Sequence, residues 1–324
     1  MSADADTAPA PAAGPVAGRT LSIVIPVRNQ GRTLKVLLET LRHLAPPPGW
    51  TVEIIPVYTD SCDDTLDVLQ RSGLRFVNCE GVGVSAARNT GAMHARGALL
   101  YFIDADACPV GDDFLVRLIA IAVKLRRFGL FGGAILLPPQ QRWNPVAIAD
   151  HWACWFNWHP RRPSQRSFLF QPGLSLAMPK AVLEACGGFD PALRVLEDFD
   201  LAHRVMARVL PVYFVNSLVV THEARGSLWR SWRHSWYWGG PFRSSYLARN
   251  PKPALWFAVG HRLFAFNLPL IFWRRMRLVL RAAWANSKWQ TCYGFVFLAA
   301  TVFAWALAVI CGPEQPAKTS AAPV

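Results

Sequence analysis

The stretch LLYFIDADACP (99–109) runs five apolar residues into two carboxylates, Asp104 and Asp106. Asp is a common turn residue, so a strand ending in a turn is the plain reading. The spacing allows more. If the chain stays extended, side chains at i and i+2 point the same way. Two hard oxygen ligands on one side suit a divalent cation such as Mg²⁺ or Mn²⁺, shared with phosphate oxygens. A cation there would neutralise a diphosphate and stabilise it as a leaving group.

The elements before the pair decide which reading holds. LSIVIPV (21–27) is a continuous apolar run, the mark of a strand buried on both faces. Leu34, Leu37, Leu38 and Leu41 recur at helical spacing, and APPPG (45–49) ends that helix. TVEIIPVY (51–58) and LRFVN (74–78) read as strands, with the helix DDTLDVLQRSG (63–73) between them. VSAARNTGAMHARG (84–97) reads as a helix between Gly-rich turns, and ALLYFI (98–103) as the fourth strand. Strand and helix in alternation predict an α/β fold: a Rossmann-like, mostly parallel sheet with helices on both faces. Such sheets bind ligands at the carboxyl ends of their strands, where Asp104 and Asp106 fall.

The second half is less regular. LFGGAILLP (130–138) and SFLFQPGLSLAMP (167–179) read as strands, and 143–160 as an aromatic-rich helix. PKAVLEACGGFD is a short helix, VLEDFDLAHRVMARVL (195–210) an amphipathic one, and VYFVNSLVVTH (212–222) holds the last strand.

Composition separates the tail from the rest. Of 324 residues, 52% are hydrophobic and 17% charged, with a net charge of +13. Residues 224–324 hold 13 Lys/Arg, one acid (Glu314) and nine of the fourteen Trp. A basic, Trp-rich tail beside apolar runs points to an anionic membrane surface rather than nucleic acid, for which no binding motif is present. The run 291–312 carries no charge over 22 residues, long enough to span a bilayer. Arg274, Arg275, Arg277, Arg281 and Lys288 flank its start, which puts that side in the cytoplasm. LFAFNLPLIFW (263–273) is too short to cross and reads as interfacial or re-entrant. Seven scattered cysteines show no zinc spacing and suit a reducing compartment. Residues 1–19, rich in Ala and Pro, read as a disordered leader.

Ordered motifs run through this frame: IVIPVRNQGRTL, then GVGVSAARNTGAMHARGALLYFIDADA, FGGAI, GLSLAMPKAVLEACGGFDPAL, EDFDLAHR and VVTHE. Over about residues 20–225 the chain resembles glycosyltransferase family 2, with its GT-A fold of nucleotide-diphospho-sugar transferases. The resemblance implies a metal-dependent, inverting transferase moving a single sugar from a nucleotide-diphospho-sugar to a hydroxyl of a surface glycan or lipid-linked acceptor. It makes Asp198 the catalytic base, and Asp104, Asp106 and His222 the metal ligands, with Asp104 also near the ribose. Pro26, Arg28 and Arg88 become nucleotide or phosphate contacts. The expected organisation is a leader (1–19), a GT-A domain (20–225), a basic interfacial segment (226–290), a single transmembrane helix (291–312) and a tail (313–324). That places the enzyme on the cytoplasmic face of the membrane.

The chain departs from the family in one place. Where Asp-Asp-Gly-Ser is usual after the second strand, it reads VYTDSCDDT, with Tyr58 and Thr59 at the usual Asp positions and Asp60 as the substitute after a shift in the turn. The Gln-x-x-Arg-Trp signature of processive synthases does not follow Asp198, which favours single transfer. The alternative is a catalytically impaired, membrane-anchored protein that binds nucleotide-sugars. A haloacid-dehalogenase-type phosphatase is disfavoured, because that class carries its Asp-x-Asp on the first strand.

Overall fold

The computed structural model describes residues 18–167, 170–193, 195–249 and 264–312. The leader and tail expected at 1–19 and 313–324 lie outside the described residues, apart from Gly18 and Arg19. The chain forms two compact units. The first comprises the described parts of Met1–Gly133, Ser164–Pro191 and Glu197–Leu218; the second, those of Ala134–Pro163, Ala192–Leu196 and Val219–Val324.

Among the described residues nine strands form one sheet. They are β1 (Thr20–Val27), β2 (Thr51–Tyr58), β3 (Val77–Asn78), β4 (Leu99–Ile103), β5 (Ala107–Pro109), β6 (Leu130–Leu136), β7 (Gln165–Ser167), β8 (Ser175–Pro179) and β9 (Val212–His222). The order is β3-β2-β1-β4-β8-β6-β9-β5, with β7 beside β9. The first half is parallel: β1 pairs with β2 from Thr20↔Thr51 to Val27↔Tyr58, and with β4 from Leu21↔Leu99. β8 then runs antiparallel to β4, with Ile103 opposite Ser175. The sheet is therefore mixed, and β4, the strand that delivers Asp104, sits at the change of direction.

The first unit's helices are α1 (Gly31–His43), α2 (Thr65–Ser72), α3 (Val84–His94), α4 (Phe114–Leu125), α6 (Lys180–Ala185) and α7 (Glu197–Ala207). Alternation along the strands loads both faces of the sheet. Val24, Leu100, Phe102 and Met178 pack with Ala87 of α3, Leu183 of α6 and Leu201 of α7. Tyr101 takes the other face, where its ring meets Phe114 of α4 at 5.8 Å. Each such side chain, fully buried, contributes about 1.5–3 kcal/mol. Gly91 of α3 lets that helix lie close on the sheet: a Cβ there would stand 2.3 Å from Val24 Cγ1 and 2.9 Å from Val57 Cγ2.

Two expected strands come out shorter. Of LRFVN only Val77–Asn78 pairs, at the sheet edge. SFLFQPGLSLAMP is not one strand: β7 ends at Ser167 and β8 starts at Ser175. Between them Pro172–Gly173 makes a turn in which Ser175 N–H donates to Pro172 C=O (3.1 Å). Proline cannot donate to a ladder, and glycine accepts the tight turn.

The second unit is largely helical: α5 (Pro145–Trp155), α8 (Leu228–Arg249), α9 (Phe264–Asn286) and α10 (Lys288–Cys311). Asn144 caps α5, its Oδ1 accepting from Val146 N–H and Ala147 N–H at 3.0 Å each, with Pro145 in the first turn. Ile148, Ala149 and Trp152 of α5 share a core with Val279 and Ala283 of α9 and with Leu298 and Val302 of α10. The described part of LFAFNLPLIFW is not a separate piece but the first half of α9. α10 is long and apolar enough to cross a membrane, and 44% of its most apolar window is buried within the protein.

Candidate active site

The site is built at the end of β4. Asp104 N–H donates to Leu174 C=O (3.2 Å), which holds the strand end to the segment leading into β8. Ala107 N–H then donates to Asp104 C=O (3.0 Å), closing a turn over Asp104–Ala107. The chain does not stay extended here, so alternation is not what places the two carboxylates. Ala105 is buried, while Asp104 and Asp106 are half-buried. The strand ends in a turn that carries both Asp104 and Asp106.

Arg88 is placed differently from the phosphate contact expected of it. Its side chain is only 2% exposed. Its guanidinium donates to Asp104 Oδ1 (2.9 Å) and Glu197 Oε1 (2.6 Å) and lies 5.3 Å from the centroid of the Phe189 ring. Burial works against its charge, but Asp104, Glu197 and Asp198 outweigh it and hold the group protonated beyond its ordinary range. An arginine suits this place because its planar fork reaches two carboxylates at once. Next to it, Asn89 ties down the GGFD loop: Nδ2 donates to Phe189 C=O and Oδ1 accepts from Phe189 N–H, both at 2.8 Å. The ARN segment is thus the joint between the Asp-x-Asp turn, the GGFD loop and the Glu-Asp pair.

Asp198 starts α7 and is 6% exposed. Its Oδ2 accepts from Gly173 N–H (2.9 Å) and its Oδ1 from Phe199 N–H (2.7 Å). Burial and the Glu197 charge nevertheless push its carboxyl up to about 7, against those bonds and Arg88. A helix start alone would keep the group fully ionised at neutral pH; desolvation overrides that expectation. The residue before the pair, Leu196, has φ 64°. That left-handed conformation costs a non-glycine residue roughly 1–2 kcal/mol, a local strain carried at the point where the acids are launched.

Gly173 matters on two counts. Its N–H holds Asp198, and a Cβ on it would stand 2.7 Å from the Arg88 guanidinium. Gly173→Ala is expected to displace Arg88 from its carboxylates, lowering stability by about 1–3 kcal/mol; a urea unfolding curve matching the wild type would contradict this. Neither Gly173 nor the role of Glu197 was evident from the sequence. An Arg and a Glu 109 residues apart give no local signal.

The remaining nucleotide-contact candidates lie at the ends of β1 and β2. Pro26 is buried in β1 opposite Val57, and Arg28 is exposed just beyond the strand. Asn29, at φ 54°, accepts from Cys62 N–H (2.7 Å), while its own N–H donates to Ser61 Oγ (3.0 Å). Asp63 binds Thr65 Oγ1 (2.5 Å) and Gly31 N–H (3.2 Å), bonds that hold its carboxyl below the usual range. Asp63 is therefore committed to joining the two loops. Asp60 is exposed, as are Asp63 and Asp64 of the same stretch.

His222 ends β9 in the second unit, buried, with its ring 5.4 Å from that of Trp155. Among the described residues no three His, Cys, Asp or Glu side chains are grouped to hold a metal by themselves. The Asp104–Asp106 turn still fits a hard cation. Mg²⁺ is commonly held by one or two carboxylates, with substrate phosphates and water completing the shell. Both residues are partly open to solvent, and Arg88 engages Asp104 through Oδ1.

A mixed sheet ending in an Asp-x-Asp turn, beside a buried carboxylate at the start of α7, is the GT-A architecture of nucleotide-sugar transferases. The mannosyltransferase PcManGT of Pyrobaculum calidifontis, solved with GDP-Man and Mn²⁺, superposes with TM-score 0.56 and 18% identity over 94% of this chain and 90% of that one. A mycobacterial protein of solved structure superposes with TM-score 0.51 and 20% identity over 74% and 77%. The family model of glycosyl transferase family 2 matches residues 22–141, and that of glycosyl transferase family 21 matches residues 164–315. Two dolichyl-phosphate beta-glucosyltransferases of Trichomonas vaginalis, ALG5A and ALG5D, are 34% and 31% identical over 107 and 105 residues. Those matches cover 30% and 29% of this chain and about a third of each relative.

Proposed function

We propose that the protein is an inverting glycosyltransferase that moves one sugar from a nucleotide-diphospho-sugar to the hydroxyl of an acceptor. The observation that carries this reading is Asp198: a buried carboxyl, oriented by Gly173 N–H and poised near neutrality. A general base works best with a pKa near the working pH. Asp198 takes the proton of the acceptor hydroxyl as its oxygen attacks the anomeric carbon. The bond to the diphosphate breaks on the opposite side, which inverts the configuration. Asp104 and Asp106 would hold a divalent cation, and Arg88 fixes the Asp104 carboxylate for that task. Bound there, Mg²⁺ or Mn²⁺ supplies positive charge to the departing diphosphate. Asp60 takes the nucleobase-contacting role, with Pro26 and Arg28 at the neighbouring strand end. The catalytic domain spans 20–225.

The acceptor in this reading is lipid-linked, in keeping with the dolichyl-phosphate glucosyltransferases the chain partly matches and with the apolar tail. Arg274, Arg277 and Arg281, exposed on α9, support a seat at the cytoplasmic membrane face. The test is a nucleotide-sugar screen by thermal shift with and without Mn²⁺, followed by transfer or sugar-nucleotide hydrolysis with the stabilising donor. A donor present at 100 times its Kd raises stability by about 2.7 kcal/mol. EDTA is expected to abolish turnover, and added Mn²⁺ or Mg²⁺ to restore it. Undiminished turnover in EDTA would remove the metal from the reading, and a donor screen without any shift would remove the transferase.

A further inference from the structure

We infer that the second unit sits on one leaflet of a membrane, with α10 lying along the surface rather than crossing the bilayer. α10 has two faces. Thr291, Gly294, Leu298, Val302 and Ala306 are buried, while Trp289, Tyr293, Val296, Phe303 and Leu307 are exposed. The exposed stripe carries no charge, so it suits hydrocarbon.

The buried face is what forbids an upright helix. α5 and the residues flanking it accompany α10 for most of its length. At the start, the Trp143 and Trp289 rings lie 5.0 Å apart, and Tyr293 Oη donates to Trp143 C=O (3.1 Å). One turn on, a Cβ on Gly294 would stand 3.2 Å from Ile148 Cγ2. At the far end, Arg275 donates to Ala153 C=O of α5 (2.6 Å), and its guanidinium lies 3.6 Å from the Trp305 ring centroid. From Thr291 to Trp305 the helix rises about 21 Å at 1.5 Å per residue. An upright α10 would therefore carry α5 and Arg275 deep into the hydrocarbon.

That cargo is polar. Asp150 of α5, 1% exposed, accepts from Arg225 N–H (3.1 Å) and from its guanidinium (3.2 Å). Irregular backbone travels with it: Gln141 pairs with Ala224 through both its side-chain atoms at 2.8 Å, and Ile135 N–H donates to Trp158 C=O (2.7 Å). Non-helical chain does not lie bare in a bilayer, and each charge at its centre costs at least about 2.5–3.5 kcal/mol. Laid flat, α10 offers only its apolar stripe to the lipid and leaves α5 on the water side.

The neighbouring helix fits the same seat. Exposed Trp273 and Trp284 share α9 with exposed Arg274, Arg277 and Arg281, the composition of a helix lying among anionic headgroups. An open groove of about 620 Å³ runs between Leu280, Arg281 and Trp284 of α9 and Thr291, Cys292 and Phe295 of α10. It sets the basic edge beside the apolar stripe, so headgroup and acyl chain meet their complements on one surface.

The inference rests on the membrane association in the proposed function, but the two fail separately, since transfer can be assayed in detergent. The test uses the full chain with one epitope tag at each end, expressed in bacteria. Intact spheroplasts and inverted membrane vesicles are treated with protease. Both tags are expected to survive in spheroplasts and both to be lost in inverted vesicles. Loss of the C-terminal tag from spheroplasts, with the N-terminal tag retained, would show a crossing helix and overturn the inference. A chain found wholly in the supernatant would overturn it as well.

Discussion

Asp198→Asn is expected to lower transfer by about 10²–10⁴-fold, the usual contribution of a general base, and at the same time to stabilise the fold above neutral pH. The second effect follows from the buried charge. The Asp198 carboxyl is raised to about 7 by burial and by Glu197. Between pH ~4 and ~7 the folded chain therefore holds a proton that the unfolded chain releases. Stability falls as pH rises through that window and stays lower above it. Asn carries no such cost, although it can satisfy only one of the Gly173 and Phe199 N–H groups as an acceptor. The gain in denaturant midpoint for Asp198→Asn should be largest near pH 8 and fade toward pH 4. An equal shift at both pH values would show that the carboxyl is not raised. In the wild type, kcat/KM should fall as pH drops through about 7, as the base becomes protonated.

Arg88→Met should be the most damaging single change to the fold, costing about 3–5 kcal/mol in urea unfolding. Removing one partner of a buried ion pair leaves an uncompensated charge, and here a single guanidinium serves both Asp104 and Glu197. Arg88 also opposes the rise at Asp198, so its loss should move the acidic limb of the pH–rate profile to higher pH. Glu197→Gln added to Arg88→Met should recover part of the stability, because it removes one of the stranded charges. If the double variant is as unstable as the sum of the two single changes, the coupling is absent. Arg88→Lys should fall between, since an ammonium lacks the fork that reaches two carboxylates.

Both results turn on contacts that are far apart along the chain. From the sequence Asp104 is a candidate by its place at the end of an apolar run, and Asp198 by the resemblance of EDFDLAHR to the family motif. Arg88 reads from the sequence as a nucleotide or phosphate contact, because an arginine after a Gly-rich turn carries no sign of what it will bury against. Gly173 reads from the sequence as part of a strand. Its value became visible only when the turn at Pro172 brought its N–H to Asp198 and its bare Cα to Arg88. In the tail, hydropathy marked α10 as a membrane element by length alone. Whether it crosses depends on what covers its other face, and Ile148 of α5 lies 146 residues before Gly294 at that contact.

What the sequence determined by itself is local and periodic. Apolar runs of strand length, helical stripes between them and turn residues at the boundaries established an α/β sheet with carboxylates at a strand end. These features depend on the chain's own dihedral preferences and on which side chains must leave water, and both are written residue by residue. The tertiary structure decided the electrostatics. The same aspartate is an ordinary acid in water and a base poised near neutrality when it is buried beside Glu197, with Arg88 and two N–H groups opposing. Those neighbours come from α3, from the turn before β8 and from the start of α7. Glu197 and Phe199 adjoin Asp198 in the chain, but only the closed fold brings Arg88 and the Gly173 N–H to it and excludes the solvent that would otherwise screen them.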